Sequence, residues 1–390
     1  MNYFQKKKLA FMSIVNKVKG FIRTITGALP LTLEGCVDEE SIIDYTLYGQ
    51  SVQNGTPTPD TPIEVESVGE KTRNIWYPSA DALTSNGITC TRNNDNTYTV
   101  NGTATADFYF YIGKITIEVG TTYYLSGGTS QAPIAFQLRK GSTGVDTLYN
   151  HGGITTFSPT EELSIDIINC VIVVRSGVEV NNVIVKPMIS LENTDEYEPY
   201  GYKIPITASS NGKTVTTNIY LDEPLRKVGD YADYIDFANG KVIRNIKKYT
   251  FTGNEDFQIR SQYNNETYKF SLSNVLDRYV GVKCMSNIGD FENGTNANAT
   301  GETGIGLWDG NESASRIAYI ELPHPYNSLA MLQQYLSANE TYVIYALATP
   351  VETSITLPNI PTFKGTSIIS ADTTIQPSNA EITYYSNVKE

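Results

Sequence analysis

Cys170-Val171-Ile172-Val173-Val174 and, upstream of it, Lys114-Ile115-Thr116-Ile117-Glu118-Val119 decide the fold class of this chain. The upstream run alternates apolar and polar residues, which places Ile115, Ile117 and Val119 on one face of an extended strand. The downstream run is apolar at every position, so both of its faces are covered and it reads as a central strand of a sandwich. Thr121-Thr122-Tyr123-Tyr124-Leu125, Leu163-Ser164-Ile165-Asp166-Ile167 and Val183-Ile184-Val185 continue the idiom. Asn86-Gly87, Asn101-Gly102, Asn211-Gly212, Asn239-Gly240 and Asn293-Gly294 punctuate it with dipeptides that favour tight hairpin turns. The expected fold is mainly β, with tandem β-sandwich (jelly-roll-like) domains and an N-terminal amphipathic helix.

Composition agrees. At 390 residues, with 40% hydrophobic and 18% charged side chains, the chain is too apolar for disorder and too long to need disulfide staples. Tyr supplies 27 of its aromatic residues, a side chain suited to half-exposed strands and wet interfaces. The net charge is −13, yet Lys6, Lys7, Lys8, Lys17, Lys19 and Arg23 precede the first acid, Glu34. The body after that segment is therefore strongly acidic, and nucleic acid is not an expected partner. Cys36, Cys90, Cys170 and Cys284 are far apart, without a C-x-x-C pair and with only His151 and His324 to join them, so no metal site and no cofactor are expected.

Five segments follow. Residues 1–33 hold a basic amphipathic helix over 9–25, with Ile14, Val18, Phe21, Ile22 and Ile25 on its apolar face as an attachment or oligomerisation element. Its apolar run is too short for a secretory signal, and no run of about 20 apolar residues occurs to span a bilayer, so a membrane is not expected as a partner. Residues 34–69 form an extended Pro-rich connector, because Pro57, Pro59 and Pro62 forbid helix. Two β-sandwich domains are expected over 70–203 and 204–350, the second with a short helix carrying Leu329, Leu332 and Leu336. A small β appendage completes the chain over 351–390.

Catalytic patterns are largely missing. Neither His151 nor His324 adjoins a nucleophile motif, Gly304-Ile305-Gly306-Leu307-Trp308-Asp309-Gly310 misses the dinucleotide spacing, and Asp309 to Ile320 lacks the Gly and Glu of a calcium loop. Asp230, Asp233 and Asp236 read as solvated acids of an edge segment. A glycoside hydrolase needs only two carboxylates, and 42 acids leave that reading open. The aromatic clusters say more: Phe108-Tyr109-Phe110-Tyr111, Trp76 with Tyr77, and Trp308 with Asp309 offer ring faces for a sugar beside groups that bond its hydroxyls. Trp308 and Asp309, among glycines, are the first choice as a saccharide-binding site, and Trp76 with Tyr77 the second.

Gly49-Gln50-Ser51-Val52-Gln53-Asn54-Gly55-Thr56-Pro57-Thr58-Pro59-Asp60-Thr61-Pro62-Ile63 resembles the entry segment of tail and baseplate structural proteins of phages that infect Gram-positive bacteria. Tyr98-Thr99-Val100-Asn101-Gly102-Thr103, Tyr197-Glu198-Pro199-Tyr200, the stretch from Leu221 to Asp236, and Leu347-Ala348-Thr349-Pro350-Val351-Glu352 are similar to phrases of the same family. The resemblance implies a virion protein, assembled in the host cytoplasm, whose β-sandwich modules, similar to carbohydrate-binding modules, form a homotrimer. It implies other virion proteins and a host cell-surface glycan as partners, and adsorption without cleavage as the role. A capsid- or neck-attached head fibre or decoration protein, and a tail-associated glycan depolymerase, are the alternatives.

Overall fold

The computed structural model describes residues 21–25, 31–33, 46–129, 134–139, 147–159, 168–210, 213–273, 275–290, 299–308, 317–358, 367–371 and 380–384. They are mainly strand, and a single helix, Leu329–Ala338, occurs among them. The chain divides into two compact units, the first made of residues 1–69, 204–219 and 224–390 and the second of 70–203 with 220–223.

The second unit is built around the strand Ile168–Val174. It lies between Phe108–Ile115 and Ile134–Arg139, with Thr147–Asn150 beyond, all paired antiparallel. Phe110, Ile172 and Phe136 stand opposite one another in register and point into a core shared with Trp76, Tyr98 and Leu125. On the reverse face Val171 and Val173 are also covered, packed with Ala135 and Tyr109, which is why every position of this strand is apolar. The upstream alternation is shorter than its pattern: the strand stops at Ile115, Ile117 remains buried, and Val119 is 45% exposed in a turn.

Two Asn-Gly pairs of this unit differ in use. Asn86 and Gly87 both take positive φ, 47° and 78°, and close the hairpin between Ala82–Ser85 and Ile88–Arg92. Asn101-Gly102 instead sits within the strand Tyr98–Thr103, where a Cβ on Gly102 would lie 2.1 Å from the Gly87 carbonyl oxygen. Close backbone approach, not a turn, requires that glycine.

In the first unit a seven-stranded sheet runs in the order Phe21–Ile25, Ala380–Tyr384, Thr46–Tyr48, Tyr234–Asp236, Lys241–Phe251, Thr341–Ser354, Tyr279–Ser286. A four-stranded sheet, Gln258–Tyr263, Thr267–Ser273, Ile317–Pro323 and Gly304–Trp308, shares its core with the helix, whose Leu332, Tyr335 and Leu336 are buried. Ser328 caps the helix by accepting from the Met331 amide. The Pro-rich stretch is tied into this unit: Ser51–Val52 pairs with Glu66–Ser67, Val68 is fully buried, the Val65 amide donates to the Tyr342 hydroxyl, and the Tyr335 hydroxyl donates to the Pro59 carbonyl.

The amino-terminal helix is corrected where it is described. Phe21, Ile22 and Ile25 lie in a strand that pairs, residue by residue, with Ala380–Tyr384. β-Branched Ile22, Thr24 and Ile25 suit an extended backbone, and a partner 355 positions away at Ile25 is invisible to local periodicity. Ile14 and Val18 lie outside the described residues.

Candidate functional site

The four-stranded sheet of the first unit turns one face to the core and the other away from it. Phe270, Leu272, Ala318, Ile320 and Leu322 occupy the core face, so alternation assigns Lys269, Ser271, Ile317, Tyr319 and Glu321 to the other. Register then fixes neighbours: Lys269 stands opposite Glu321, which stands opposite Gly304; Ser271 opposite Tyr319, which stands opposite Gly306; and Ile317 opposite Trp308. Trp308 is half-buried and packs on Ile317 and Tyr319. Gly304 and Gly306 put no side chain on the strand that carries it; both are buried, and a Cβ on Gly304 would lie 2.7 Å from the Gly289 carbonyl.

This face is polar in kind although most of it is buried. Lys269 and Glu321 are both 0% exposed. The Lys269 ammonium lies 4.6 Å from the centre of the Tyr319 ring, a cation–π distance. Burial pulls that ammonium below the usual lysine range, against the opposing charges of Glu321 and Glu302. Burial likewise pushes the Tyr319 hydroxyl up, with Arg260 opposing. Glu321 accepts from the Thr267 hydroxyl at 3.0 Å, the Thr300 amide at 2.9 Å, the Thr300 hydroxyl at 3.2 Å and the Gly301 amide at 2.7 Å. Its lone pairs are thus committed, which makes it an anchor for the face and not a group free to turn toward a substrate. Exposed Arg260 donates to Ser271 at 2.9 Å and, with Trp308, reaches toward solvent.

Of the residues singled out from sequence, Trp308 is on this face and Asp309 lies outside the described residues. Trp76 is a correction: it is 2% exposed, its ring fills the core of the second unit against Phe136, and it cannot present a face to a ligand. A Cβ on Gly113 would come within 3.0 Å of that indole. Tyr77, its neighbour, is 42% exposed; its ring meets Tyr200 edge-on at 5.6 Å and carries the Arg92 guanidinium at 5.5 Å. Sequence reading missed Lys269, Tyr319 and Glu321, although Thr267-Tyr268-Lys269-Phe270-Ser271-Leu272 alternates clearly enough to have placed Lys269 opposite the core.

Two phrases of the family resemblance carry buried carboxylates with structural duties. Asp233 is 0% exposed, not a solvated edge acid; it accepts from the Asn245 and Ile246 amides at 2.8 Å, the Arg226 amide at 3.1 Å and the Arg244 guanidinium at 3.2 Å. Glu198 accepts from the Arg73 amide at 2.7 Å, the Arg73 guanidinium at 3.1 Å and Lys203 at 3.2 Å. Among the described residues no three His, Cys, Asp or Glu side chains are grouped to hold a metal. No protein family, curated protein or solved structure matches this chain.

Proposed function

We propose that the protein is a structural component of a phage virion, at the tail or baseplate, which adsorbs as a homotrimer to a saccharide of the host surface and does not cut it. The entry segment and the later phrases that resemble tail and baseplate proteins support the setting, and the mainly β architecture is compatible with it. The observation that carries the binding role is the Trp308 face. There a half-buried indole packs on Ile317 and Tyr319 beside two glycines, with the Lys269 ammonium against the Tyr319 ring and exposed Arg260 bonded to Ser271 on the same sheet. Aromatic faces take the C–H side of a sugar ring while the guanidinium bonds its hydroxyls.

Replacing Trp308 by Ala is expected to weaken binding of the full chain to host cell walls about tenfold or more, as for loss of a ring-stacking contact of roughly 1–3 kcal/mol. Undiminished binding by that variant would move the site off this face. Release of reducing sugar by the parent protein would replace the adsorption reading with a depolymerase.

A further inference from the structure

The second unit holds a recess of about 220 Å³ that owes nothing to the Trp308 face. Its floor is backbone. At Gly127, φ is +110° and a Cβ would lie 2.1 Å from the Lys186 carbonyl oxygen; at Gly128 a Cβ would lie 1.8 Å from the Asn150 carbonyl oxygen. No other residue fits either position, so the floor is bare by necessity. Asn150, 0% exposed, locks it: its Oδ1 accepts from the Gly128 and Gly152 amides at 2.8 and 3.2 Å, and its Nδ2 donates to the Leu125 and Gly153 carbonyls at 3.0 Å each. One buried amide therefore holds both glycine turns in place around an open concavity.

The walls carry groups of opposing kind. Lys186 and Asp195 are exposed and bring one charge of each sign, Tyr197 is half-buried, and Ile184 is 56% exposed. The Tyr197 hydroxyl is spent on the Asp95 carbonyl at 2.8 Å, which fixes the ring. An anion would gain Lys186 and be repelled by Asp195, and a cation the reverse. A neutral polyol uses both, since a carboxylate only accepts and an ammonium only donates, while each hydroxyl does either. Tyr197 and Ile184 supply apolar surface for the C–H face of a ring. The volume falls below the roughly 300–1,000 Å³ of drug-sized sites, which limits the occupant to about one ring.

We infer that this recess is a second, independent binding site, for a single neutral hexose unit. It would give each chain two glycan contacts and so raise avidity on a repeating polymer.

The test is saturation-transfer NMR on the full chain carrying Trp308→Ala, with methyl glucoside, methyl galactoside and methyl N-acetylglucosaminide as probes. At least one of the three is expected to receive saturation from this chain. Adding Gly153→Asn should abolish the transfer: φ there is +64°, which Asn tolerates, and a side chain would project into open space at the recess. Adding Asp195→Asn instead, an exposed change that spares the fold, should weaken binding about tenfold for loss of charge-assisted hydrogen bonding. The inference is overturned if none of the probes receives saturation in the Trp308→Ala chain, or if the transfer survives both added changes undiminished. Cell-wall binding by Trp308→Ala reads the first site separately, so either site can fail without the other.

Discussion

Lys269→Met is the most informative perturbation, because it separates what the buried pair does for the fold from what it costs. Lys269 and Glu321 face each other across two strands, both fully enclosed. Glu321 has four donors of its own, from Thr267, Thr300 and Gly301, so it stays satisfied when the ammonium is removed. Met keeps the length and apolar contact of the lysine stem over Tyr319 without the desolvation penalty. The expected loss of unfolding free energy is about 1–3 kcal/mol, because Glu321 keeps its hydrogen bonds but loses the countercharge on the facing strand. Glu321→Leu is the contrasting case: it strands four donors and removes the carboxylate opposite the buried ammonium, for an expected loss of about 3–5 kcal/mol. Urea unfolding of the full chain, followed by tryptophan fluorescence, measures both, with Trp308 reporting the first unit and Trp76 the second. The parent should also gain stability relative to Lys269→Met as pH rises. The folded chain holds this proton less tightly than the unfolded chain, so stability increases from the lowered folded value up to the unfolded value of about 10.4. If Lys269→Met proves as damaging as Glu321→Leu, the lysine is a structural partner and the reasoning from its cost fails.

Two further outcomes concern the second unit. Burial alone would raise Glu198, but the Arg73 amide and guanidinium and the Lys203 ammonium outweigh it and hold it below the usual glutamate range; its contribution is present above an unfolded value of about 4.3 and lost as pH falls through the lower folded value. Glu198→Gln should therefore cost about 2 kcal/mol at neutral pH, and its melting temperature should converge on the parent's in acid; a gap that stays constant with pH would count against this ion cluster. Trp76→Ala should cost about 3–5 kcal/mol by thermal or urea unfolding, as for other buried aromatic deletions; a loss below about 1 kcal/mol would mean that the indole does not fill the core.

The β character, the doubly covered strand Ile168–Val174 and the helix bearing Leu332 and Leu336 were legible in the sequence, because each is written in the spacing of apolar residues along a continuous run. Phe21 to Ile25 was misread as helix because its partner is the other end of the chain, and a short β-branched run with apolar residues at 21, 22 and 25 satisfies both periods until that partner is known. Trp308 was singled out for the glycines around it, but its place at the end of a strand, packed on Ile317 and Tyr319, was not legible. That Lys269 lies over Tyr319, and that Glu321 is held by a loop 20 positions away at Gly301, depends on cross-strand register, which local spacing does not specify. The same holds for the recess: Gly127, Gly128 and Gly153 look like ordinary turn residues until pairing brings the Asn150 and Lys186 carbonyls within a Cβ's radius of the first two. Local periodicity determines which face of a strand is apolar; only the tertiary structure decides which polar faces are brought together, because that choice is made by partners remote in the chain.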